Sequence, residues 1–511
     1  LEERVSNNAR IAKNTLFLYL RMLLLIVLGL YTSRITLKVL GTEDYGVYNV
    51  VGGIVVLFLF FNNALTAGVQ RYLNYYLGAN DTDSVRKIFS QSLFAFIVLS
   101  LLVVFLSETL GLFLFEKYLV IPPARMHAAR IVYQFSVAST VFMILRIPFN
   151  AVIIAYERMS FYAYVSIAEG ALRLVGVLVL LAISYDKLVL YSFFTFLVSV
   201  VLLIIYFLYC RGRFEIVSLR NSSDRTFLKE LMSFSGWNVL GSAAGILCNQ
   251  GLNILVNRFF GVAINAAMGV ANQVNNIIYS FLSSFQTAFN PQIVKSYAQG
   301  DRKYVFDFVI KTSKYSFFLL FFIILPFLVN VDFVLKLWLV DVPSYSNVFV
   351  FYLCLFTLVD SLSGPLWMLV EAEGNIRTYQ IAGGVSGILV LPVTYACYKL
   401  GFPPYCGVLV HVVQLFLFMI WRLFYLKKRV SFPVAEYCRQ VYLRILIILP
   451  PAILLPCLVG HFFSGWTRFL LSCSVSCVVL AALYLGIGLS SDERASMMRA
   501  FKKKVCKGCS A

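Results

Sequence analysis

The sequence predicts an all-α polytopic membrane protein of about fourteen transmembrane helices, arranged as two six-helix lobes followed by two C-terminal helices. Three observations carry that expectation. Hydrophobic residues make up 60% of the chain and charged residues only 13%, with a mean hydropathy of +0.83, far from the balance of a soluble globular protein. Apolar runs of about 18 residues or more recur along the whole length, each long enough to cross a hydrocarbon core of about 30 Å. The sequence also partly repeats itself at a shift near 220 residues. Helices are expected rather than barrel strands, which would be shorter and would alternate in polarity.

The first span, near 15–37, includes "NTLFLYLRMLLLIVLGLYTS"; no small-residue cleavage site follows it, so it reads as a retained helix. Spans near 47–69, 90–114, 131–155, 161–184 and 188–209 complete a first set of six. A second set runs near 231–257, 264–288, 305–328, 347–370, 378–398 and 405–425, and two further spans lie near 441–460 and 468–489. The expected domains are an N-terminal lobe over 1–228, a C-terminal lobe over 229–430, and a segment 431–511 with two extra helices and a basic tail. The longest loops, 210–230, 289–304 and 426–440, are too short for a large catalytic domain outside the membrane.

The chain carries 43 Lys and Arg against 24 Asp and Glu, a formal charge of +19. With the N-terminus placed in the cytoplasm, the inner loops collect most of the basic residues, notably Arg211, Arg213, Arg220, Arg225, the "KKR" at 427–429 and Lys502, Lys503 and Lys504. That is the positive-inside bias, and it places both termini in the cytoplasm. Nucleic-acid binding would need these charges on one face of a folded domain, which the chain has no room for. Eleven Cys are scattered, and buried Cys behaves as a small hydrophobe. Cys506 and Cys509 form a lone C-x-x-C, a weak signal for metal or redox chemistry without a second pair. His127, His411 and His461 are too dispersed for a metal site, so no cofactor is expected.

The repeat shows first in two short charged connections, "YYLGANDTDSVRKIF" from Tyr75 and "SYAQGDRKYVFDFV" from Ser296. A shift of 220 pairs Gly41 with Gly261, Lys38 with Arg258, Phe61 with Phe281 and Asp81 with Asp301. A shift of 217 pairs Leu145 with Leu362, Pro148 with Pro365, Ala155 with Ala372, Tyr162 with Tyr379 and Gly170 with Gly387. Each unit then holds six helices, an even number, so both enter the membrane in the same orientation, as in transporters with parallel repeats. Hydrophobic helices also resemble one another through composition alone, but two regions sharing nearly one shift are harder to explain that way.

Polar residues inside the spans need a reason. In the eighth span Asn272, Asn276, Tyr279, Ser283, Gln286 and Asn290 fall at helical spacing on one face. The seventh repeats the pattern with Asn249, Asn253 and Asn257, adding Asn238 and Gln250; the second contributes Asn62, Asn63, Thr66 and Gln70. Interhelical hydrogen bonding glues membrane helices and is one reading. A stripe of this length exceeds what gluing requires and favours a wet, amide-lined cavity, since unpaired amides in lipid are costly. Amides beside aromatic rings suit sugar hydroxyls.

Among charges within spans, Arg21, Arg146 and Arg173 lie in the first repeat and Asp360 in the second. An Arg at the centre of a lipid-facing helix costs about 2.5–3.5 kcal/mol on the insertion scale. Glu169 lies four residues before Arg173 and neutralises it at that spacing. Arg21 is near enough to the membrane edge to snorkel. Arg146 has no counter-charge in its own span and is the best candidate to face an anionic cargo, because guanidinium grips phosphate in bidentate fashion.

The opening "KNTLFLYLRMLLLIVLGLYTSRITLKVLGTEDYGVYNVV", the loop around Asp81, "FNPQIVKSYAQGD" and "LVEAEGNIRTYQIAG" resemble the multidrug/oligosaccharidyl-lipid/polysaccharide (MOP) exporter superfamily, and within it the polysaccharide or O-antigen flippases of the Wzx type. The resemblance spans roughly residues 5–430. It implies two six-helix lobes in a V, moving an undecaprenyl-diphosphate-linked oligosaccharide from the inner to the outer leaflet of the bacterial inner membrane by alternating access. It implies that first-lobe arginines engage the diphosphate, with Arg21 and Arg146 as counterparts here; Arg173 and the amides Asn249, Asn253, Asn272, Asn276 and Gln286, from the reading of the spans, complete the expected substrate-binding set. Glu169 or Asp360 would bind a coupling proton or sodium ion, and the sequence does not choose between them or require either. Membrane lipids and a polysaccharide polymerase are the other expected partners. Two rivals stand beside this reading: a multidrug or small-solute antiporter of the same architecture, and a membrane glycosyltransferase or polymerase. The short outer loops, poor in paired carboxylates, weigh against the latter.

Overall fold

A chain this apolar must satisfy its backbone donors and acceptors internally, and it does so with helices throughout. The computed structural model describes the backbone of residues 2–57, 69, 72–73, 76–77, 81–156, 158–216, 225–374, 376–490 and 493–494. Side chains are described within these outside 2–23, 159, 225–242, 284, 287–288, 290–291, 294–295, 298 and 460–461. In chain order the main helices are α1 Glu2–Val56, α2 Thr82–Leu106, α3 Leu112–Tyr118, α4 Met126–Ala155, α5 Met159–Val179, α6 Lys187–Arg213, α7 Arg225–Ala298 and α8 Arg302–Val329. They continue with α9 Val331–Trp338, α10 Ser346–Ser361, α11 Ser363–Glu373, α12 Arg377–Lys399, α13 Cys406–Val430, α14 Val434–Tyr437, α15 Leu443–Phe462 and α16 Gly465–Leu483. The described residues contain no strand.

Among the described residues eleven helices are long and apolar enough to cross a membrane, or twelve if α10 and α11, bent by 40° at their junction, form one span. The expected count of fourteen is not confirmed among the described residues. The span expected near 15–37 and the start of that near 47–69 fall on the single helix α1, most of the latter lying outside the described residues, and those near 231–257 and 264–288 fall on α7. Each long helix is broken by one non-helical residue, Gly41 (φ 76°, ψ 173°) in α1 and Gly261 (φ 80°, ψ −177°) in α7. That backbone region is essentially reserved to glycine. The two residues are partners under the sequence shift of 220, and they adopt the same conformation.

The paired charged connections have a local explanation of the same kind. Asp81 is the N-cap of α2, accepting from the Ser84 amide at 3.0 Å and the Ser84 hydroxyl at 2.6 Å. Asp301 is the N-cap of α8, accepting from the Tyr304 amide at 3.1 Å. A carboxylate there satisfies an orphan donor of the first turn and complements the helix dipole. The hydrogen bonds from Ser84 hold the Asp81 carboxyl below its ordinary pKa. The repeats differ further on: α4 runs unbroken through Pro148, whereas the stretch carrying Pro365 is split at Leu362 into α10 and α11.

The chain divides into two compact units. The first comprises Leu1–Val270, Trp338–Ser346 and Arg377–Val410. Within it α4 packs along α6 and α2, and α1 along α5. Its core includes Val50 and Ile54 of α1, Phe96 of α2, Tyr133 and Ile144 of α4 and Leu202 of α6. Where the π turn Ser107–Gly111 follows α2, the Tyr133 hydroxyl donates to the Ser107 carbonyl at 2.6 Å. Arg125, just before α4, ties the starts of α4 and α6 to α1 near its Gly41 break: its Nε donates to Asp44 Oδ1 of α1 at 2.7 Å, and its Nη1 to Oδ2 of Asp186, the N-cap of α6, at 2.8 Å.

The second unit comprises Ala271–Leu337, Asn347–Ile376 and His411–Ala511. Here α8 packs against α11, α15 and α16. At one end of α8, Asn330 Nδ2 donates to Ser472 Oγ of α16 at 2.8 Å, and Ser472 Oγ lies 3.1 Å from Asn330 Oδ1.

Candidate functional site

In the first unit, α4, α5 and α6 place charged and aromatic side chains together. The apolar run of α4 sets Arg146 toward α5, where Glu169 lies one helical turn before Arg173. Arg146 Nη1 donates to Glu169 Oε2 at 3.0 Å, and Arg173 Nη2 donates to Glu169 Oε1 at 2.7 Å. The reading that left Arg146 without a counter-charge is therefore corrected: its partner lies on the neighbouring helix, where spacing within one span does not reveal it. The Arg146 guanidinium also lies 5.4 Å from the centroid of the Tyr206 ring of α6. The side chains of Arg146 and Glu169 are 21% and 22% exposed and that of Arg173 is 52% exposed, so the cluster is open on the Arg173 side. Two cations around one anion leave a net positive charge, suited to an anionic group. Arg21 has its side chain outside the described residues.

The amides of the seventh expected span are divided between packing and exposure. Asn257 is fully buried; its Oδ1 accepts from the Val120 amide at 2.8 Å and its Nδ2 donates to the Val120 carbonyl at 3.2 Å. Asn253 Nδ2 donates to Gln250 Oε1 at 3.0 Å, and Asn265 Nδ2 donates to the Asn253 carbonyl at 2.9 Å. Asn249 is exposed. The side chain of Asn238 lies outside the described residues, as do Asn62, Asn63, Thr66 and Gln70.

The stripe of the eighth expected span splits in the same way. In the second unit Gln286 Nε2 donates to the Ser361 carbonyl at 3.0 Å, and the Gln286 amide packs onto Gly364, leaving no room for a Cβ there. That is interhelical fastening. Asn276, Tyr279 and Ser283 are exposed, and Asn272 is half-buried. The Asn290 side chain lies outside the described residues.

Asp360, at the end of α10, hydrogen-bonds Ser363 and faces the buried Arg422 of α13. The guanidinium of Arg422 lies 5.2 Å from the Phe418 ring centroid. Glu169 and Asp360 lie in different units, and each is engaged with arginine.

The sequence reading passed over another intramembrane cation. Lys314, midway along α8 and 0% exposed, meets Glu493 at 2.6 Å, with Glu493 only 5% exposed. Tyr315 Oη donates to Glu493 Oε1 at 3.1 Å and the Ser490 amide to Oε2 at 2.7 Å. Arg444 Nη1 donates to the Gly488 carbonyl at 2.7 Å and lies 4.0 Å from Glu493 Oε2. Burial works to raise the Glu493 pKa, but the hydrogen bonds from Lys314, the Ser490 amide and Tyr315 outweigh it and hold the carboxyl below its ordinary value. The signal available beforehand was a Lys inside the apolar run "VIKTSKYSFFLLFFIILPFLV". Its partner, 179 residues away, has no such signal.

No group of three or more His, Cys, Asp or Glu among the described residues could hold a metal ion. Cys506 and Cys509 lie outside the described residues.

A family model described as "Polysaccharide biosynthesis protein" matches residues 11–297. No curated protein sequence matches the chain significantly. Among solved structures, "Lipid II flippase MurJ, inward closed conformation" is similar with a TM-score of 0.63 at 13% identity, over 92% of this chain and 98% of that one. A structure described as the inward-facing conformation of a multidrug resistance MATE family transporter of the MOP superfamily has a TM-score of 0.55 at 11% identity, over 94% and 96%. A MOP superfamily transporter from Pyrococcus furiosus Vc1 (DSM3638) has a TM-score of 0.54 at 14% identity, over 79% and 94%. At these identities the likeness establishes the fold alone, a multi-pass bundle of membrane helices.

Proposed function

This chain belongs to the polysaccharide biosynthesis protein family, within the MOP exporters, and we propose that it is a flippase for undecaprenyl-diphosphate-linked oligosaccharide, moving the repeat unit from the inner to the outer leaflet of a bacterial inner membrane. The observation that carries this reading is the pair of guanidiniums, Arg146 and Arg173, held together and partly exposed within a bundle of membrane helices. A diphosphate cannot be solvated by lipid tails, and paired arginines are suited to receive it through charge-assisted, bidentate hydrogen bonds. The exposed amides Asn249 and Asn276, with Asn253 and Asn272 along their respective helix faces, are proposed to meet the sugars, while Gln286 is taken up in fastening. The polyprenyl tail stays in the bilayer.

The lobes over 1–228 and 229–430 rock to expose the head group to alternate sides, with the termini in the cytoplasm. No catalytic step is needed. Carrying negative charge outward along an inside-negative potential gains about 2.3 kcal/mol per charge per 100 mV, a drive in addition to any proton or sodium ion bound at Glu169 or Asp360. A polymerase acting on the outer leaflet would receive the product.

Deletion of the gene should cause undecaprenyl-linked oligosaccharide to accumulate on the inner leaflet. Wild-type protein should relieve the accumulation, and Arg146→Ala, present at normal abundance, should not. Full relief by Arg146→Ala would overturn the reading. Transport of cationic dyes but not lipid-linked sugar by proteoliposomes would establish the antiporter instead.

A further inference from the structure

Glu169 holds the position that a bridging phosphate would take. Its two oxygens are divided between guanidiniums from adjacent helices, Oε2 at 3.0 Å from Arg146 and Oε1 at 2.7 Å from Arg173. A phosphate group spans two arginines with the same kind of charge-assisted contact, one oxygen to each. Arg146 has a second support, the Tyr206 ring 5.4 Å away, and Tyr206 is only 3% exposed. That support does not depend on Glu169, so the cation stays in place when the carboxylate turns aside.

Exposure argues against simple neutralisation. Glu493 is sealed in with its cations, Lys314 at 2.6 Å and Arg444 at 4.0 Å, and Lys314 and Glu493 are 0% and 5% exposed. At Glu169 one carboxylate again serves two cations, but one of them is 52% exposed. Removing the carboxylate from between them changes the local charge from +1 to +2, which matches the double negative charge of a diphosphate. Among the described residues, Tyr206 lies beside Arg146 and Tyr191 senses the charge of Arg173.

Resting on the flippase reading above, we propose that Glu169 is a tethered counter-anion. It aligns both guanidiniums, is displaced by the diphosphate of the cargo, and returns to displace the cargo in its turn. Binding is thereby kept weak enough for release, and a head group with a single negative charge competes poorly. Glu169 is thus a specificity residue, acting on the cargo through Arg146 and Arg173.

The test uses the full chain, purified in detergent, with two diester probes: farnesyl methyl diphosphate, which like the cargo carries two negative charges, and farnesyl methyl monophosphate, which carries one. Glu169→Gln keeps the shape and removes the charge; it should bind the diphosphate about tenfold more tightly, the effect of about 1.4 kcal/mol. It should also gain relatively more for the monophosphate, so that discrimination falls, and its turnover in proteoliposomes should slow. Arg146→Ala should lose diphosphate binding. If Glu169→Gln binds no more tightly than wild type while Arg146→Ala still loses binding, the counter-anion is refuted and the arginine site stands. If Arg146→Ala and Arg173→Ala both bind as wild type does, the head-group site itself is refuted. Should Glu169→Gln fail to fold, by elution profile and thermal unfolding, Glu169→Asp replaces it. The shorter carboxylate cannot reach both guanidiniums, so tighter binding is again expected and unchanged binding refutes the proposal.

Discussion

Two ionic clusters lie among the helices of this protein, and they are built to opposite plans. Around Glu493 a single lysine is sealed from solvent, and the carboxylate receives further donors from Tyr315 and the Ser490 amide. Around Glu169 two arginines share one carboxylate, and the group is open on one side. The first arrangement, which Arg444 also approaches to 4.0 Å, is enclosed and binds the segment following α16 to the middle of α8. The second has the same count of two cations to one anion but is open. Within a membrane protein, enclosure therefore marks a fastening, whereas access marks a place prepared for something else.

The largest effect that would break this contrast concerns Lys314. Replacing it with Met strands the Glu493 carboxylate in a buried site, and removing one member of such a pair costs about 3–5 kcal/mol. Thermal unfolding in detergent should show a large loss for Lys314→Met, with much of it restored in the double variant Lys314→Met/Glu493→Leu. Arg146→Ala should shift stability by only about 0–1 kcal/mol, as for other partly exposed pairs, while abolishing export. Equal stability losses for the two variants would dissolve the distinction.

The next effect is on pH. The folded Glu493 carboxyl is held below its ordinary value, so its contribution is fully present above the unfolded pKa and is lost as pH falls through the folded one. Unfolding temperature should therefore drop below about pH 4 in the wild type, starting from the range of ordinary glutamates, and this component should vanish in Glu493→Gln. A wild type and a variant with parallel pH profiles would show that Glu493 is not charged in the fold. The smallest effect lies at the paired caps. Asp81→Ala and Asp301→Ala should each lower stability slightly and to a similar degree, measured by the same unfolding. A loss confined to one of them would show that the two repeats do not use this position alike.

Much of the architecture is legible in the chain because it rests on local rules. The apolar runs located the helices, and the shift that paired Gly41 with Gly261 and Asp81 with Asp301 found two backbone breaks and two caps of matching geometry. The fold's departures come where tertiary structure decides. No sequence period distinguishes α4, which passes Pro148 unbroken, from the bent pair α10 and α11 around Leu362.

The candidate site was legible in its residue types and not in its pairings. Helical spacing correctly joined Glu169 to Arg173, but it could not see that Arg146, on another helix, holds the same carboxylate. The amide stripes were found by period, yet period does not say what a face meets. Asn257 and Gln286 turn out to grip the backbone of Val120 and Ser361, while Asn249 and Asn276 remain exposed. Lys314 stood in plain view within its span, and only the fold brings it to Glu493.

The elbows at Gly41 and Gly261 carry one further consequence. Side chains along the two halves have drifted until few positions agree, but a backbone with φ near +80° and fully extended ψ admits almost no other residue. The matched pair is held by geometry where side-chain chemistry is free to vary. Alignment of the two halves should be anchored at these bends and extended outward from them, since the neighbouring positions are under far weaker backbone constraint.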